Sequence, residues 1–93
     1  MAEQSGAAQP RDGAPALTLL TRIDCHLCDE FHRALMRWDD GRGHFQLNVV
    51  DVDSDPALSA RFGLRVPVLL FGEQELCALR FDEERLGALT AVD

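Results

Sequence analysis

The sequence predicts one α/β domain with the element order βαβαββα, and three features lead there. Apolar runs of strand length, residues 17–21 and 45–52, are each followed by a helical signal. Two more apolar runs, 67–71 and 75–79, are separated by a few residues beginning with Gly72, as in an antiparallel hairpin. The whole chain has 93 residues, which leaves room for a single shared core and no second domain.

Taken in order, residues 1–15 (MAEQSGAAQPRDGAP) show neither helical nor strand periodicity and are expected to form a mobile tail ahead of a domain spanning 16–93. The run Leu17-Thr18-Leu19-Leu20-Thr21 reads as a buried strand. From Cys28 onward, Phe31, Ala34, Leu35 and Trp38 recur at three- and four-residue spacing, with Asp29, Glu30, Arg33 and Arg37 elsewhere on the wheel. That pattern is an amphipathic helix ending before Gly41. Residues 45–52 form a second strand, and Ser54 or Asp55 ahead of Pro56 starts a short helix that reaches Phe62 and stops at Gly63. After the hairpin, Asp82 caps a last helix with Glu83 and Glu84 in its first turn and Leu86, Leu89 and Val92 as its apolar stripe.

The formal net charge of −7 opposes a polyanionic ligand such as nucleic acid. No apolar run reaches the roughly 18 to 20 residues of a membrane helix, and the first 15 residues lack a cationic start and an apolar centre. The expectation is a cytoplasmic monomer with neither a nucleic acid nor a membrane partner. Three cysteines do not make a paired disulfide framework, and a Cys-x-x-Cys in a reducing compartment points to redox or metal chemistry.

The segment DCHLCDEFH, residues 24–32, admits three chemistries. Cys25, Cys28 and His32 have metal-like spacing, with His26, His44 and Cys77 as further donors, yet nothing in the pattern completes a closed tetrahedral set. Inert core thiols are a second reading, which suits Cys28 because it shares the stripe of Phe31 and Leu35. A redox pair is the third. Residues three apart in a first helical turn bring their Cα atoms within the roughly 4.4 to 6.8 Å that a disulfide tolerates. The helix N-terminus favours the Cys25 thiolate, which can lower a cysteine pKa from about 8.5 into the range of about 3.5 to 7.5. Arg22 and a protonated His26 act in the same direction, and Asp24, Asp29 and Glu30 act against it.

Three stretches, LTLLTRIDCHLC, VDSDPALSARFGLRVPVLLF and RFDEERL, resemble the thioredoxin-fold superfamily, and within it the small glutaredoxin-like proteins of bacteria that carry Cys-His-Leu-Cys. The likeness covers residues 17–92. It implies a four-stranded mixed sheet flanked by three helices, and a thiol-disulfide oxidoreductase serving cell redox homeostasis, with Cys25 attacking a disulfide and Cys28 resolving the mixed disulfide. It also implies a cis Val66-Pro67 bond beside the cysteine pair, leaving the Val66 backbone free to pair with an extended substrate. Arg22 stands where glutaredoxins often carry a Lys or Arg, and His26, Leu27, Val66, Pro67, Arg80 and Asp82 complete the expected substrate site.

Two departures bear on the cofactor. The dipeptide between the cysteines lacks proline, and the Gly-Gly that glutaredoxins use to admit glutathione is Leu79-Arg80. No cofactor is required, glutathione is a disfavoured reductant, and the expected partners are a protein or small-molecule disulfide and a thioredoxin-type electron donor. The rival functions are a zinc or shared iron-sulfur module and a non-catalytic adaptor. Cys77 and Trp38 are expected in the core, and His32 on the flank of the motif.

Overall fold

The computed structural model describes residues 14–90, with the side chains of 89 and 90 left aside. Most of the expected tail, the Leu89 side chain and Val92 therefore lie outside the described residues. The elements are β1 (Ala16–Thr21), α1 (His26–Asp39), β2 (Gln46–Asp51), a 3-10 turn (Val52–Ser54), α2 (Pro56–Phe62), β3 (Val68–Phe71), β4 (Gln74–Ala78) and α3 (Glu83–Thr90). The sheet order is β2-β1-β3-β4, with β1 and β2 parallel and the β1/β3 and β3/β4 pairs antiparallel. This is the mixed four-stranded arrangement that the resemblance implied.

Strand alternation divides the core in two. Leu17, Leu19 and Leu69 face Phe31 and Leu35 of α1 and Leu86 of α3, whereas Leu20, Val68 and Leu70 face Val52 and Phe62 on the side of α2. Because β1 and β3 are covered on both faces, they read as continuous apolar runs. Cys28 is buried as its stripe predicts, but it belongs to the second cluster while Phe31 and Leu35 belong to the first.

Several boundaries shift for local reasons. Ordered pairing already includes Pro15, whose carbonyl accepts from Gln46 N at 2.8 Å, one residue before the expected domain start. Val52 leaves β2 for the 3-10 turn. Strand β3 begins at Val68, after Pro67, which has no N–H to give the ladder. The hairpin loop is only Gly72-Glu73, with Gly72 at φ +59°, as the first position of a type II′ turn requires. The register slips between Leu69 and Leu70, which pair with Cys77 and Glu75, so Leu76 is an extra residue and lies with Cys77 in the same core cluster. The α2 start is as expected: Asp55 is the N-cap, its Oδ1 accepts from Ala57 N at 2.8 Å, and Pro56 follows.

The exit of α1 rests on Asp39, which no periodic or capping pattern in the sequence singles out. Its Oδ2 accepts from Gly43 N at 3.0 Å and its Oδ1 from His44 N at 2.9 Å, with His44 Nδ1 at 2.7 Å from the same oxygen. Trp38 lies over the His44 ring with centroids 5.0 Å apart. Burial opposes the Asp39 charge, but the two amides and the imidazole outweigh it and hold the carboxyl below its usual range.

Asp39→Asn is expected to lower the unfolding free energy at pH 7 by about 1–3 kcal/mol, the scale of hydrogen bonds to a charged group. A carboxyl depressed in the folded state stabilises above its unfolded pKa of about 3.9 and loses that contribution as pH falls through the folded value. Denaturant unfolding at neutral and acid pH should therefore show the gap between wild type and variant closing on acidification; a constant gap contradicts the role.

Candidate redox site at the first helix

Strand β1 ends at Thr21, and three residues later Asp24, at φ +61°, turns the chain into the helix. Asp is one of the few residues that enters this left-handed region readily. Cys25 is extended, at φ −104° and ψ 105°, and is the N-cap of α1. Its Sγ accepts the Cys28 N–H at 3.1 Å, and its carbonyl accepts Asp29 N at 3.1 Å. The sulfur thus occupies the position that a Ser or Asp oxygen takes at an ordinary helix start. Cys25 and Cys28 are joined in a disulfide, with Cα atoms 5.2 Å apart. The helix begins two residues before the apolar stripe because His26 and Leu27 are exposed and leave no mark in the periodicity.

The two sulfurs are unequal. Cys28 is 2% exposed among Leu20, Val66 and Val68, whereas Cys25 is partly open at the edge of that cluster. The Val66-Pro67 bond is cis, and both residues are buried. Leu20 pairs with Val68 and Val68 with Ala78, so the chain ends leading to the cysteines, to Pro67 and to Leu79 meet at one end of the sheet. Leu79 N donates to the Pro67 carbonyl at 2.7 Å.

Arg22, whose charge is expected to favour the Cys25 thiolate, is engaged by a carboxylate and a carbonyl. Its Nε and Nη2 donate to the Asp53 carboxylate at 2.9 and 3.1 Å, and its Nη1 donates to the Gly63 carbonyl at 2.9 Å. The guanidinium is satisfied by Asp53, and its hydrogen bonds hold that carboxyl below its usual range. Arg22 therefore ties the approach to the cysteines to the loop that leads to Pro67. Gly63 is required there, since a Cβ would stand 2.5 Å from the Ser59 carbonyl oxygen and 3.1 Å from Arg22 Nη2. Asp53 and Gly63 could not be assigned from sequence, because the contact spans distant segments.

The remaining candidates spread around this end. His26 Nε2 lies 2.9 Å from Glu30 Oε2 on the exposed face of α1, and Leu27 is 52% exposed. Asp82 caps α3 through Oδ1, which accepts from Glu84 N at 3.0 Å and Arg85 N at 3.3 Å. Arg80 is exposed nearby, along an open groove of about 650 Å³ that runs from Arg65 past Leu79 to Arg85. Arg65 forms a bidentate pair with Glu75. Cys77 is buried on β4 itself, and burial pushes its thiol pKa up. Trp38 packs against the first core cluster, and His32 is half-buried on α1. Among the described residues no three His, Cys, Asp or Glu side chains converge as a metal site.

A cysteine pair at a helix N-terminus, a cis-proline beside it and the β2-β1-β3-β4 sheet define a thioredoxin-fold domain of redox type. The chain belongs to the family described as Glutaredoxin-like domain (DUF836), whose model matches residues 16–89. An uncharacterized protein of Mycobacterium tuberculosis and one of Mycobacterium bovis are each 35% identical to it over 79 residues, covering 80% of this chain and 80% of theirs. The X-ray structure of target protein XcR50 from X. campestris is similar at a TM-score of 0.64 and 39% identity, covering 83% of this chain and 97% of that one.

The geometry ranks the thiols. In the reduced protein at neutral pH, Cys25 is expected to alkylate with iodoacetamide about ten-fold or more faster than Cys28 or Cys77, because reaction follows thiolate character and access. Peptide mass mapping of partly alkylated protein checks this ranking; preferential labelling of Cys28 would overturn it.

Proposed function

We propose that the protein is a dithiol thiol-disulfide oxidoreductase with Cys25 as nucleophile and Cys28 as resolving thiol. The observation that carries this reading is the Cys28 N–H donated to Cys25 Sγ at the start of α1. A donor already aimed at the sulfur favours its anion, and the helix dipole adds to it.

The reaction has two exchanges. The Cys25 thiolate attacks one sulfur of a substrate disulfide, forming the Cys25–substrate bond and releasing the other substrate sulfur as thiolate. Cys28 then gives up its proton to water or to the departing sulfur and attacks Cys25 Sγ, which forms the Cys25–Cys28 disulfide and releases the second substrate thiol. Two electrons pass from the protein dithiol to the substrate, and an external dithiol must return them.

A thioredoxin-type protein dithiol suits that role better than glutathione. Asp82, Glu83 and Glu84 crowd the start of α3 with negative charge, the whole chain carries −7, and Arg80 and Arg85 together offset only part of it. An anionic tripeptide meets repulsion there, moderated by salt over a Debye length of about 8 Å. Val66 and Pro67 are buried on the side of the disulfide, and Val66 lies outside β3, which supports a role for its backbone in pairing with an extended substrate. A reducing compartment such as the cytoplasm matches this direction of electron flow.

Cys28→Ser is expected to accumulate a mixed disulfide through Cys25 when given a disulfide substrate, and Cys25→Ser to abolish turnover. Non-reducing mass spectrometry of each variant, with a dithiol-coupled turnover assay beside it, reads both outcomes. Turnover that survives Cys25→Ser would reject the assignment.

A further inference from the structure

We infer that Leu79 is a specificity residue, the anchor of an apolar lip that takes an extended polypeptide segment carrying the substrate disulfide; the inference rests on thiol-disulfide exchange at Cys25. Leu79 has φ +69°, and Arg80 N donates to the Ala78 carbonyl at 2.7 Å, so Leu79 is the central residue of a γ-turn at positive φ. Glycine adopts that conformation freely, whereas a bulky side chain resists it. Burial does not compensate, because Leu79 remains 47% exposed. A strained, exposed leucine contributes little to the fold that glycine would not contribute better. Strained backbone of this kind collects at sites that bind something.

Its position gives the lip a partner. Leu79 N is bonded to the Pro67 carbonyl, and strand pairing puts the 79–80 turn at the same sheet end as the cysteines. Three other aliphatic side chains are exposed on loops and the helix turn at that end: Ile23 at 74%, Leu27 at 52% and Leu64 at 97%. Single exposed aliphatic side chains need no explanation, but four on the segments that converge on the Cys25–Cys28 pair offer apolar area that a substrate's apolar side chains would cover.

The disulfide fixes what that occupant must contain, a sulfur able to reach Cys25. Beyond Leu79 an open groove of about 650 Å³ runs along Arg80 to Arg85, which leaves room for the chain that continues past the lip. At the pair itself Asp24, Asp29 and Glu30 are exposed and the whole chain carries −7, which disfavours a small anionic disulfide at Cys25, while in the groove Arg65, Arg80 and Arg85 are matched by Glu75, Asp82 and Glu83. The occupant is therefore a protein segment with apolar residues flanking its cystine, and a small anionic disulfide is disfavoured.

Two reductions are compared in the full chain: a synthetic disulfide peptide with leucine or valine on each side of the cystine, and glutathione disulfide. Leu79→Gly relieves the turn and removes the side chain, and Leu79→Ala removes the side chain while keeping the positive φ. Both are expected to reduce the preference in kcat/KM for the apolar peptide about ten-fold, through KM, while only Leu79→Gly raises the melting temperature. Unchanged preference in both variants overturns the inference while leaving the oxidoreductase intact. A second arm titrates the same peptide with serine in place of cysteine and follows backbone amide shifts of Leu27 and Leu79. Saturable binding weakened by both substitutions, without any turnover, upholds the lip and sinks the redox reading; neither binding nor turnover sinks both. Self-association that buries Leu79 in place of the peptide also overturns the inference.

Discussion

The structure depends on a sulfur atom serving as a helix cap. Cys25 Sγ takes the amide that an oxygen would take in an ordinary N-cap, so α1 begins where Cys25 stands. That constraint fixes the rest of this end of the molecule. Strand β1 must stop at Thr21, Asp24 must turn the chain into the helix, and Cys28, one turn on, must enter the cluster of Leu20, Val66 and Val68. Arg22 then joins the approach loop to the loop ahead of Pro67 through Asp53 and the Gly63 carbonyl.

Magnitudes decide whether the cap outweighs the acids around it. One pKa unit corresponds to about 1.4 kcal/mol. A hydrogen bond to a charged group contributes about 1.5–3 kcal/mol, and a helix terminus adds about 0.3–1 kcal/mol. Against these stand Asp24, Asp29 and Glu30, all exposed, where each charge acts through water and salt for about 1 kcal/mol at most. Glu30 is moreover within 2.9 Å of His26. On the proposed reading these contributions favour the thiolate once the disulfide is reduced, by less than at a site with no acids beside it. Arg22 is paired with Asp53, so its charge is partly offset where it stands.

The elements that follow local rules were legible in the sequence. The order of strands and helices, the Asp55-Pro56 helix start, the Asp82 cap, the buried side of Cys28 and the position of Cys77 in the core all follow from periodicity or capping chemistry. What the sequence hid is long-range or conformational. Arg22 finds Asp53 across 31 residues, so its neighbours in the chain gave no sign of the pair. The Asp39 staple required knowing that the loop returns Gly43 and His44 to the helix end. Leu76 as an extra residue in β4 and Leu79 at positive φ break the patterns on which sequence reading relies. The resemblance located the disulfide and the cis-proline; the leucine in the glycine-like turn required coordinates.

The most direct test of the account is the pKa of Cys25 itself. Ultraviolet thiolate titration of a Cys28→Ser, Cys77→Ser double variant isolates that sulfur, while the backbone amide at position 28 remains available to donate to it. The account predicts a midpoint clearly below the ordinary cysteine value of about 8.5. A midpoint at or above that value would contradict the helix cap as the source of the reactivity of Cys25.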